Sequence, residues 1–352
     1  MKKLFLLSVA ATLISSIVFA GVRRIGYWGT PVAGLDYATP ALAVSASAIG
    51  DTIYVYGSNA GSAWTIDVTK RLVVVGSGYF YAPNTPGNAN SNANLQNYNA
   101  YSSAAVQLFD GASGSIIIGV TGYVYCNTSH VSPINNIRIS NCYWNASPTM
   151  LKGGITYDGW EISKCYIGYQ VNYNPTTSRL TNFKILNNIF QSGSFGLSAV
   201  AGQTGIIENC TFYGYYYGNS FSGTNLLIQN CIFIGANVTS YNNCVFNNCV
   251  FDNAPNPGVV GANNILNVPA NNLFIGLPTQ GATTDDGRWA LKAGSPAIAA
   301  GISGVDCGAF GGVNPYKLSG IPAVPAFYKL TAPSNAANSN PYTLTFSVRA
   351  NN

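Results

Sequence analysis

The sequence has few charged side chains, and this shortage excludes several protein classes. Charged residues make up 8% of the 352 residues, against roughly 25% in an average globular domain. Coiled coils and charge-rich disordered chains both need far more charge, so both are excluded. The 16 basic and 11 acidic residues are scattered along the chain, which argues against a nucleic-acid partner.

Histidine and paired cysteines are also scarce. The chain has one histidine, His130, and its eight cysteines include no Cys-x-x-Cys pair. Zinc sites are usually built from such pairs or from several histidines. We therefore predict no metal site in this chain.

The composition instead favours a β-rich protein with many turns. Hydrophobic residues reach 47%, with 38 glycines and 23 tyrosines. Tyrosine is enriched in strands, while glycine and asparagine are enriched in turns. Helical architectures are not indicated by this balance.

The first twenty residues predict a secretory signal peptide. Lys2 and Lys3 precede an apolar stretch over 4–19, and Val18 and Ala20 are small residues at the positions that a signal peptidase reads. Cleavage is expected near Ala20, which leaves 16 − 2 = 14 basic and 11 acidic residues, or a net charge of +3. A membrane anchor is the alternative, although the apolar stretch is short for a bilayer span.

An eight-residue pattern recurs through the middle of the chain. Its consensus is φ-x-Ile-x-Asn-Cys-x-φ, where φ is mostly apolar, and Lys164 and Asn188 each replace one consensus residue. The cysteine position falls at 142, 165, 188, 210 and 231, in steps of 23, 23, 22 and 21 residues. Weaker copies anchor at Cys249 and Asn272. A short period of this kind is typical of solenoids.

Each copy predicts a strand followed by a bend. Apolar residues alternate within the copy, as in a strand, and the alternation shifts at Asn-Cys. Asparagine tolerates the left-handed backbone of a bend, and stacked copies would let asparagine side chains bond to one another. We therefore predict an all-β fold, a right-handed parallel β-helix with coils about 4.8 Å apart.

The repeated cysteines predict an inward-facing column. Cys142, Cys165, Cys210 and Cys231 share one repeat position, where small apolar groups would stack as a buried thiol ladder. Disulfides between adjacent coils are the alternative, since neighbouring coils lie within bridging distance.

Less regular segments complete the predicted organisation. Residues 37–49 predict a short capping helix over the first coil, while 82–104 and 253–268 predict loops. A strand-like run at 342–349 could lie along the solenoid. The predicted regions are a signal peptide at 1–20, a β-helix domain with N-terminal cap at 21–312, and an irregular Pro-rich tail at 313–352.

Two segments carry motifs of a known family. Asp36-Tyr-Ala-Thr and Gly50-Asp-Thr-Ile-Tyr-Val resemble the capping entrance of secreted pectate-lyase-like β-helix proteins of the Bacteroidetes type. Arg288-Trp-Ala-Leu-Lys-Ala-Gly-Ser-Pro-Ala-Ile, followed by Asp306-Cys-Gly-Ala-Phe-Gly-Gly, resembles its closing signature. The resemblance covers about residues 30–312 and implies the fold. It implies no particular activity, because the family includes lyases, hydrolases and members without known chemistry.

Aligning the copies places three charges on successive coils. Arg138, Glu161 and Lys184 share one outward position, Glu208 lies diagonal to Lys184, and Asp158 is close to Glu161 in sequence. If the protein is an enzyme, the catalytic candidates are Glu161, Asp158, Arg138 and Lys184. Glycosidases need paired carboxylates, and lyases of this fold need a base with Ca²⁺ held by carboxylates. The alternative is an ionic ladder that stabilises an exposed sheet.

Tyrosines form a second candidate surface, because exposed tyrosine rings can stack on sugars and donate hydroxyl bonds. The alternative is that they cover the solenoid. The glycan-binding candidates are Tyr166, Tyr169, Tyr173, Tyr213, Tyr215, Tyr216 and Tyr217.

The acids of the closing region have simpler interpretations. Asp286 is expected to cap a turn or to pair with Arg288, and Asp306 to bond turn amides. Metal binding or catalysis is the alternative for both residues.

Together these features predict a secreted β-helix protein with a structural or glycan-binding role at a bacterial surface. The alternative is a polysaccharide lyase or glycoside hydrolase acting on an acidic polysaccharide. We expect a monomer in the secreted fraction, on the outer surface or in the periplasm, with a glycan as partner. No membrane span is expected in the mature chain, and no cofactor except Ca²⁺ if the protein is a lyase.

Overall fold

The computed structural model describes most of the chain between residues 20 and 349. The described residues are 20–26, 30–56, 64–79, 103–145, 150–168, 171–172, 177–191, 195–196, 202–214, 220–235, 237–255, 259–277, 283–322, 326–331 and 345–349. The signal-peptide prediction falls on residues 1–20, of which 1–19 lie outside the described residues.

The chain forms a β-solenoid of about six turns built from parallel sheets, as the repeat predicts. Sheet 1 has eleven strands, in spatial order Asp36–Tyr37, Val22–Ile25, Thr52–Val55, Val73–Val75, Ile116–Ile118, Arg138–Ser140, Glu161–Ser163, Phe183–Leu186, Gly205–Glu208, Leu226–Gln229 and Val245–Asn247. Sheet 2 has nine, in spatial order Trp64–Val68, Ser103–Leu108, Thr121–Cys126, Tyr143–Trp144, Tyr166–Ile167, Ile189–Phe190, Thr211–Tyr213, Ile232–Ile234 and Val250–Phe251.

Smaller elements complete the coils. A two-stranded parallel sheet joins Thr156–Asp158 and Arg179–Thr181, and a four-stranded parallel sheet joins Val171–Asn172, Phe195–Gly196, Ser220–Thr224 and Asn237–Asn242. Short 3₁₀ helices lie at Ala270–Asn272, Gly287–Trp289, Ile302–Gly304 and Leu318–Gly320.

The predicted bend is a left-handed residue between sheet 1 and sheet 2. The residue before each cysteine position has φ between 50° and 54°, namely Asn141, Lys164, Asn187, Asn209, Asn230 and Asn248. Asparagine adopts this conformation at lower cost than most residues. The bend reverses which side chains face inward, and this explains the shift in the apolar alternation.

Identical side chains stack along the inside of the solenoid. Register pairing aligns the central isoleucines of sheet 1, including Ile139, Ile162 and Ile185. In sheet 2 the rings of Phe190, Phe212, Phe233 and Phe251 stack with centroids 4.5, 4.8 and 4.9 Å apart. Coils with the same sequence pattern therefore fill one continuous core.

The cysteine column is present and its thiols are free. The Cys142 amide donates to Cys165 Sγ at 3.4 Å, and the Cys210 amide donates to Cys231 Sγ at 3.4 Å. Asn188 continues the column, because its Oδ1 accepts from the Cys165 amide at 2.8 Å. All eight cysteines are buried and unbridged. The structure thus has the thiol ladder rather than disulfides between coils.

The last coil differs from the prediction. Asn264, not Asn272, occupies the cysteine position, since its Oδ1 accepts from the Cys249 amide at 2.9 Å. Asn263 provides the left-handed bend, with φ 57°. The predicted excursion at 253–268 therefore closes a coil, and Asn272 lies in a 3₁₀ helix. Of the predicted loop at 82–104, the described residues 103 and 104 begin a strand.

The predicted cap is the helix Pro40–Ala46. Thr39 caps its first turn by accepting from the Leu42 amide at 3.3 Å, and Pro40, Ala43 and Val44 are buried. The helix is shorter than the predicted 37–49, because the backbone becomes extended at Ser47. Of the tail, Thr345–Arg349 pairs antiparallel with Ala326–Thr331, a strand that the sequence did not indicate.

Residues 297–322, which we call the strap, run back along the bends of the solenoid. Bend side chains bond the strap, not mainly one another as predicted; the pair Asn230–Asn209 is 3.5 Å apart. From the last bend toward earlier ones, the contacts are Asn248 with Ala300, Asn230 with Ile302, Asn209 with Asp306, Asn187 with Ala309 and Gly311, and Lys164 with Asn314. The strap thus contacts five successive coils.

The strap covers the outer face of sheet 2 over its later coils. The outward residues Tyr166, Ile189, Thr211, Ile232 and Val250 are at most 1% exposed. The four apolar members belong to a second apolar cluster, separate from the solenoid core, that includes Ala297, Cys307, Ala309 and Tyr316 of the strap and the preceding Trp289. Thr211 accepts a hydrogen bond from the Ala309 amide of the strap at 3.0 Å. This half of sheet 2 is therefore a buried interface.

Candidate functional site

The predicted charge ladder has the predicted register. Glu161 pairs in register with Arg138 on one side and with Lys184 on the other, and Lys184 pairs with Ile206, which leaves Glu208 diagonal to it. Arg138 and Lys184 are exposed and Glu161 is half-buried. The ion pairs in the described chain are Arg23–Asp51 at 3.4 Å and Arg24–Asp36 at 2.7 Å, so the ladder charges face one another without close contact.

Asp158 does not extend this ladder. Its Oδ1 accepts from Thr181 Oγ1 and from Asn182 Nδ2, each at 2.7 Å. Its strand belongs to the sheet of Thr156–Asp158 and Arg179–Thr181, whereas Glu161 lies in sheet 1. The Asp158 carboxylate therefore joins its own coil to the next one at Asn182, a left-handed residue that precedes the sheet 1 strand Phe183–Leu186.

Most other carboxylates also hold the backbone. Asp286 is buried, and besides capping the 3₁₀ helix through the Gly287 amide it accepts from the Ser319 amide at 2.8 Å. Asp306 accepts from the Ala299 amide at 2.9 Å, as predicted for a turn. Further backbone amides bond to Asp36, Asp51, Asp110 and Asp252.

The structure separates the predicted tyrosines. Tyr166 is 1% exposed under the strap, so its ring does not belong to the surface. Tyr213 is half-buried, and its ring lies 4.6 Å from that of Trp289. Tyr169, Tyr173, Tyr215, Tyr216 and Tyr217 lie outside the described residues.

His130 belongs to a buried network rather than to a surface site. Its Nε2 lies 2.7 Å from the Tyr157 hydroxyl, which accepts from the Lys152 amide at 3.0 Å. Burial raises the pKa of the neighbouring Cys126 thiol to about 12. A thiol with so high a pKa is a poor nucleophile at neutral pH. The hydrogen bonds of the network join His130 to Tyr157 of the strand Thr156–Asp158 and to the Lys152 ammonium.

A tyrosine pair that is not among the predicted residues lies on the earlier coils of sheet 2, before the coils that the strap covers. Tyr123 and Tyr125 alternate with the buried Val124 in the strand Thr121–Cys126, so both project outward. Both are half-buried, and their ring centroids are 5.5 Å apart with planes inclined by 39°. The signal was present, since Tyr-Val-Tyr in a strand puts two rings on one face.

Polar side chains adjoin this pair on the two preceding coils. In register, Tyr125 follows Gln107 and Asp67, while Tyr123 follows Ala105 and Thr65. Thr65 and Asp67 are exposed, and Ala105 and Gln107 are half-buried. We call these six outward positions the open face: Thr65, Asp67, Ala105, Gln107, Tyr123 and Tyr125.

The open face carries a negative charge at one side. The pKa of Tyr125 is raised, chiefly by burial, with further contributions from Tyr123 and from the Asp67 carboxylate. The Tyr125 hydroxyl therefore stays protonated at physiological pH. A surface of this kind offers two aromatic faces, the hydroxyls of Thr65, Tyr123 and Tyr125, an amide and a carboxylate.

Membrane spans and clusters of metal ligands are two further features considered for the described part of the chain. Its helices include none long and apolar enough to cross a membrane. Within the same residues, no three histidine, cysteine, aspartate or glutamate side chains gather as a metal site would require.

Comparison of the chain with family models, with curated proteins and with solved structures finds no match. What is established is the β-solenoid itself.

Proposed function

We propose that the protein is secreted and acts outside the cytoplasm as a glycan-binding β-helix. The open face is the observation that carries this proposal. Tyrosine rings present an apolar face for the C–H groups of a sugar and a hydroxyl for its polar edge. Gln107, on the coil next to Tyr125, adds a donor and an acceptor, and Asp67, one coil further in the same register, adds a carboxylate.

The hydrogen bonds of the aspartate carboxylates favour binding over catalysis. Hydrolysis of a glycoside needs two carboxyl groups free to act on one bond. In this chain Asp36, Asp51 and Asp110 hold backbone amides, and Asp158 holds a bend. The carboxylates of these residues stabilise turns that the solenoid needs.

A polysaccharide binding panel tests the proposal. The mature protein, beginning at Gly21, is expected to bind at least one polymer, and Tyr123→Ala with Tyr125→Ala should weaken that binding about tenfold or more. Tyr54→Ala is the matched control, because Tyr54 is a half-buried tyrosine facing outward from sheet 1. Equal binding by the double variant and the control would contradict the proposal.

The register of the charge ladder supports a second candidate, a polysaccharide lyase or hydrolase. Arg138, Glu161 and Lys184 lie on adjacent coils of an exposed sheet, where they could contact an acidic polymer, with Ca²⁺ if the reaction is a lyase reaction. Uronic-acid polymers with added Ca²⁺, followed by the absorbance of unsaturated product, test it. Turnover that Glu161→Gln abolishes would establish the enzyme and replace the binding proposal as the main function.

A further inference from the structure

We infer that the open face binds a single chain of a neutral glycan, lying along the strand of Tyr123 and Tyr125, with Asp67 and Gln107 bonding its hydroxyls. This inference rests on the proposed function and specifies its ligand. It follows from the placement of the rings, their inclination and the sign of the nearby charge.

The placement of the rings sets the direction of the chain. Tyr123 and Tyr125 belong to one strand and their ring centroids are 5.5 Å apart, a distance comparable to the spacing of successive sugars in a linear chain. Adjacent sugars can therefore contact adjacent rings only if the glycan follows the strand.

The inclination of the rings selects a free chain over a crystalline surface. A flat crystal face would require coplanar rings, whereas these planes are inclined by 39°. Successive sugars of a soluble chain can rotate about their linkage and meet both rings. The open face is thus suited to one twisted chain.

Charge selects the chemical class of the glycan. Asp67 is exposed and in register with Gln107 and Tyr125. Asp67 is the charged member of the open face. The Lys70 ammonium, three residues further along the chain, bonds the Ser47 carbonyl at the cap. Carboxylates repel uronic acids within a Debye length of about 8 Å, while they accept bonds from neutral hydroxyls.

Matched polymers that differ in charge provide the test. Dissociation constants would be measured by calorimetry for manno-oligosaccharides against mannuronate oligosaccharides, and for galactan against polygalacturonate. Wild-type protein should bind the neutral member of a pair at least tenfold more tightly. Asp67→Asn should reduce that ratio severalfold, because repulsion of the acidic member is relieved. Tyr125→Phe should retain most binding and Tyr125→Ala should not, since stacking needs the ring.

The outcomes separate this inference from the proposed function. Absence of binding to every polymer would overturn both. Tyrosine-dependent binding that is equal for neutral and acidic polymers, or stronger for the acidic ones, would overturn only the inference, as would an unchanged ratio in Asp67→Asn. Binding confined to crystalline cellulose or chitin would also overturn it. Melting temperatures of Asp67→Asn and Tyr125→Phe should match wild type, because Asp67 is exposed and Tyr125→Phe keeps the half-buried ring.

Discussion

The two halves of sheet 2 have the same strands and opposite surroundings. Over its later coils the outward residues are sealed by the strap, and Tyr166 is 1% exposed. Over its earlier coils the six residues of the open face are exposed or half-buried, and Tyr123 and Tyr125 are half-buried there. A tyrosine on the outside of the solenoid therefore becomes core or surface according to where a distant segment lies.

The covered half is held by contacts with the strap. Strap carbonyls and amides meet the bend asparagines, and Asp286 joins the Tyr316 hydroxyl at 3.3 Å and the Ser319 amide at 2.8 Å. Tyr316 in turn lies 2.5 Å from the Tyr79 hydroxyl. These contacts bury an apolar surface that would otherwise be exposed, and the strap should therefore contribute to stability as well as to shape.

The largest loss of stability is expected from a substitution that displaces the strap from sheet 2. A Cβ added at Gly311 would lie 1.9 Å from the Asp306 carbonyl oxygen, so Gly311→Ala forces the backbone to move. Crowding of this kind should lower the free energy of unfolding by about 3 kcal/mol. Urea unfolding measures the loss, and binding of a hydrophobic dye reports exposure of the covered half.

Gly304→Ala is the control within the strap. A Cβ at Gly304 meets nothing within 4 Å, but φ is 76° there, so the cost should be about 1–2 kcal/mol from backbone conformation alone. If the two variants lose the same free energy of unfolding, and Gly311→Ala binds no dye, then the strap is not held by close packing at Gly311.

A moderate effect is expected at the bend that holds the strap. Asn209→Gly keeps the left-handed bend but removes the bond from Nδ2 to the Asp306 carbonyl, 3.0 Å away. It should cost about 1 kcal/mol. Asn209→Ala should cost about 1–2 kcal/mol more, because alanine is strained at φ 50°. Both losses are measured by urea unfolding.

Asn243 offers the matched control for this bend. It also has a left-handed backbone, with φ 52°, and it is exposed. Asn243→Gly should therefore be near neutral. If Asn209→Gly proves equally neutral, the bond from Asn209 to the strap contributes nothing to stability.

The coils could be predicted because each repeats the same local chemistry. The Ile-x-Asn-Cys pattern contains the strand, the left-handed bend and the inward thiol, and Lys164 at one bend did not obscure it. The register of Arg138, Glu161 and Lys184 followed from counting along that pattern. The fold, the thiol ladder and the charge ladder are all consequences of one short repeat.

The strap could not be predicted, because its contacts join residues far apart in sequence. Asn209 and Asp306 are 97 residues apart, and no periodicity relates them. For the same reason Tyr166 could not be distinguished from Tyr125 by its own strand. The last coil shows a related difficulty: 263–264 and 271–272 are both Asn-Asn pairs, and only the bond from the Cys249 amide identifies Asn264 as the coil residue.

The smallest net effect on stability is expected at alkaline pH, where the two halves differ in proton affinity. Burial, and then the charge of Asp286, raise the pKa of Tyr79 well above its usual value, whereas the pKa of Tyr125 is raised while it remains half-exposed. A tyrosine with a raised folded pKa keeps its proton after the unfolded chain has lost it. Its contribution is complete below pH 10 and falls as pH rises beyond that value.

Tyr79→Phe should therefore change sign in its effect on stability. At pH 8 it loses the bond to Tyr316 and should cost about 1 kcal/mol. At pH 11 that cost should vanish or reverse, because about 1.4 kcal/mol per pH unit of proton linkage is removed with the hydroxyl. Urea unfolding of Tyr79→Phe and Tyr125→Phe at both pH values measures the difference. The same cost at pH 8 and pH 11 for Tyr79→Phe would mean that the pKa of Tyr79 is not raised in the folded protein, and that the strap admits solvent to the network it covers.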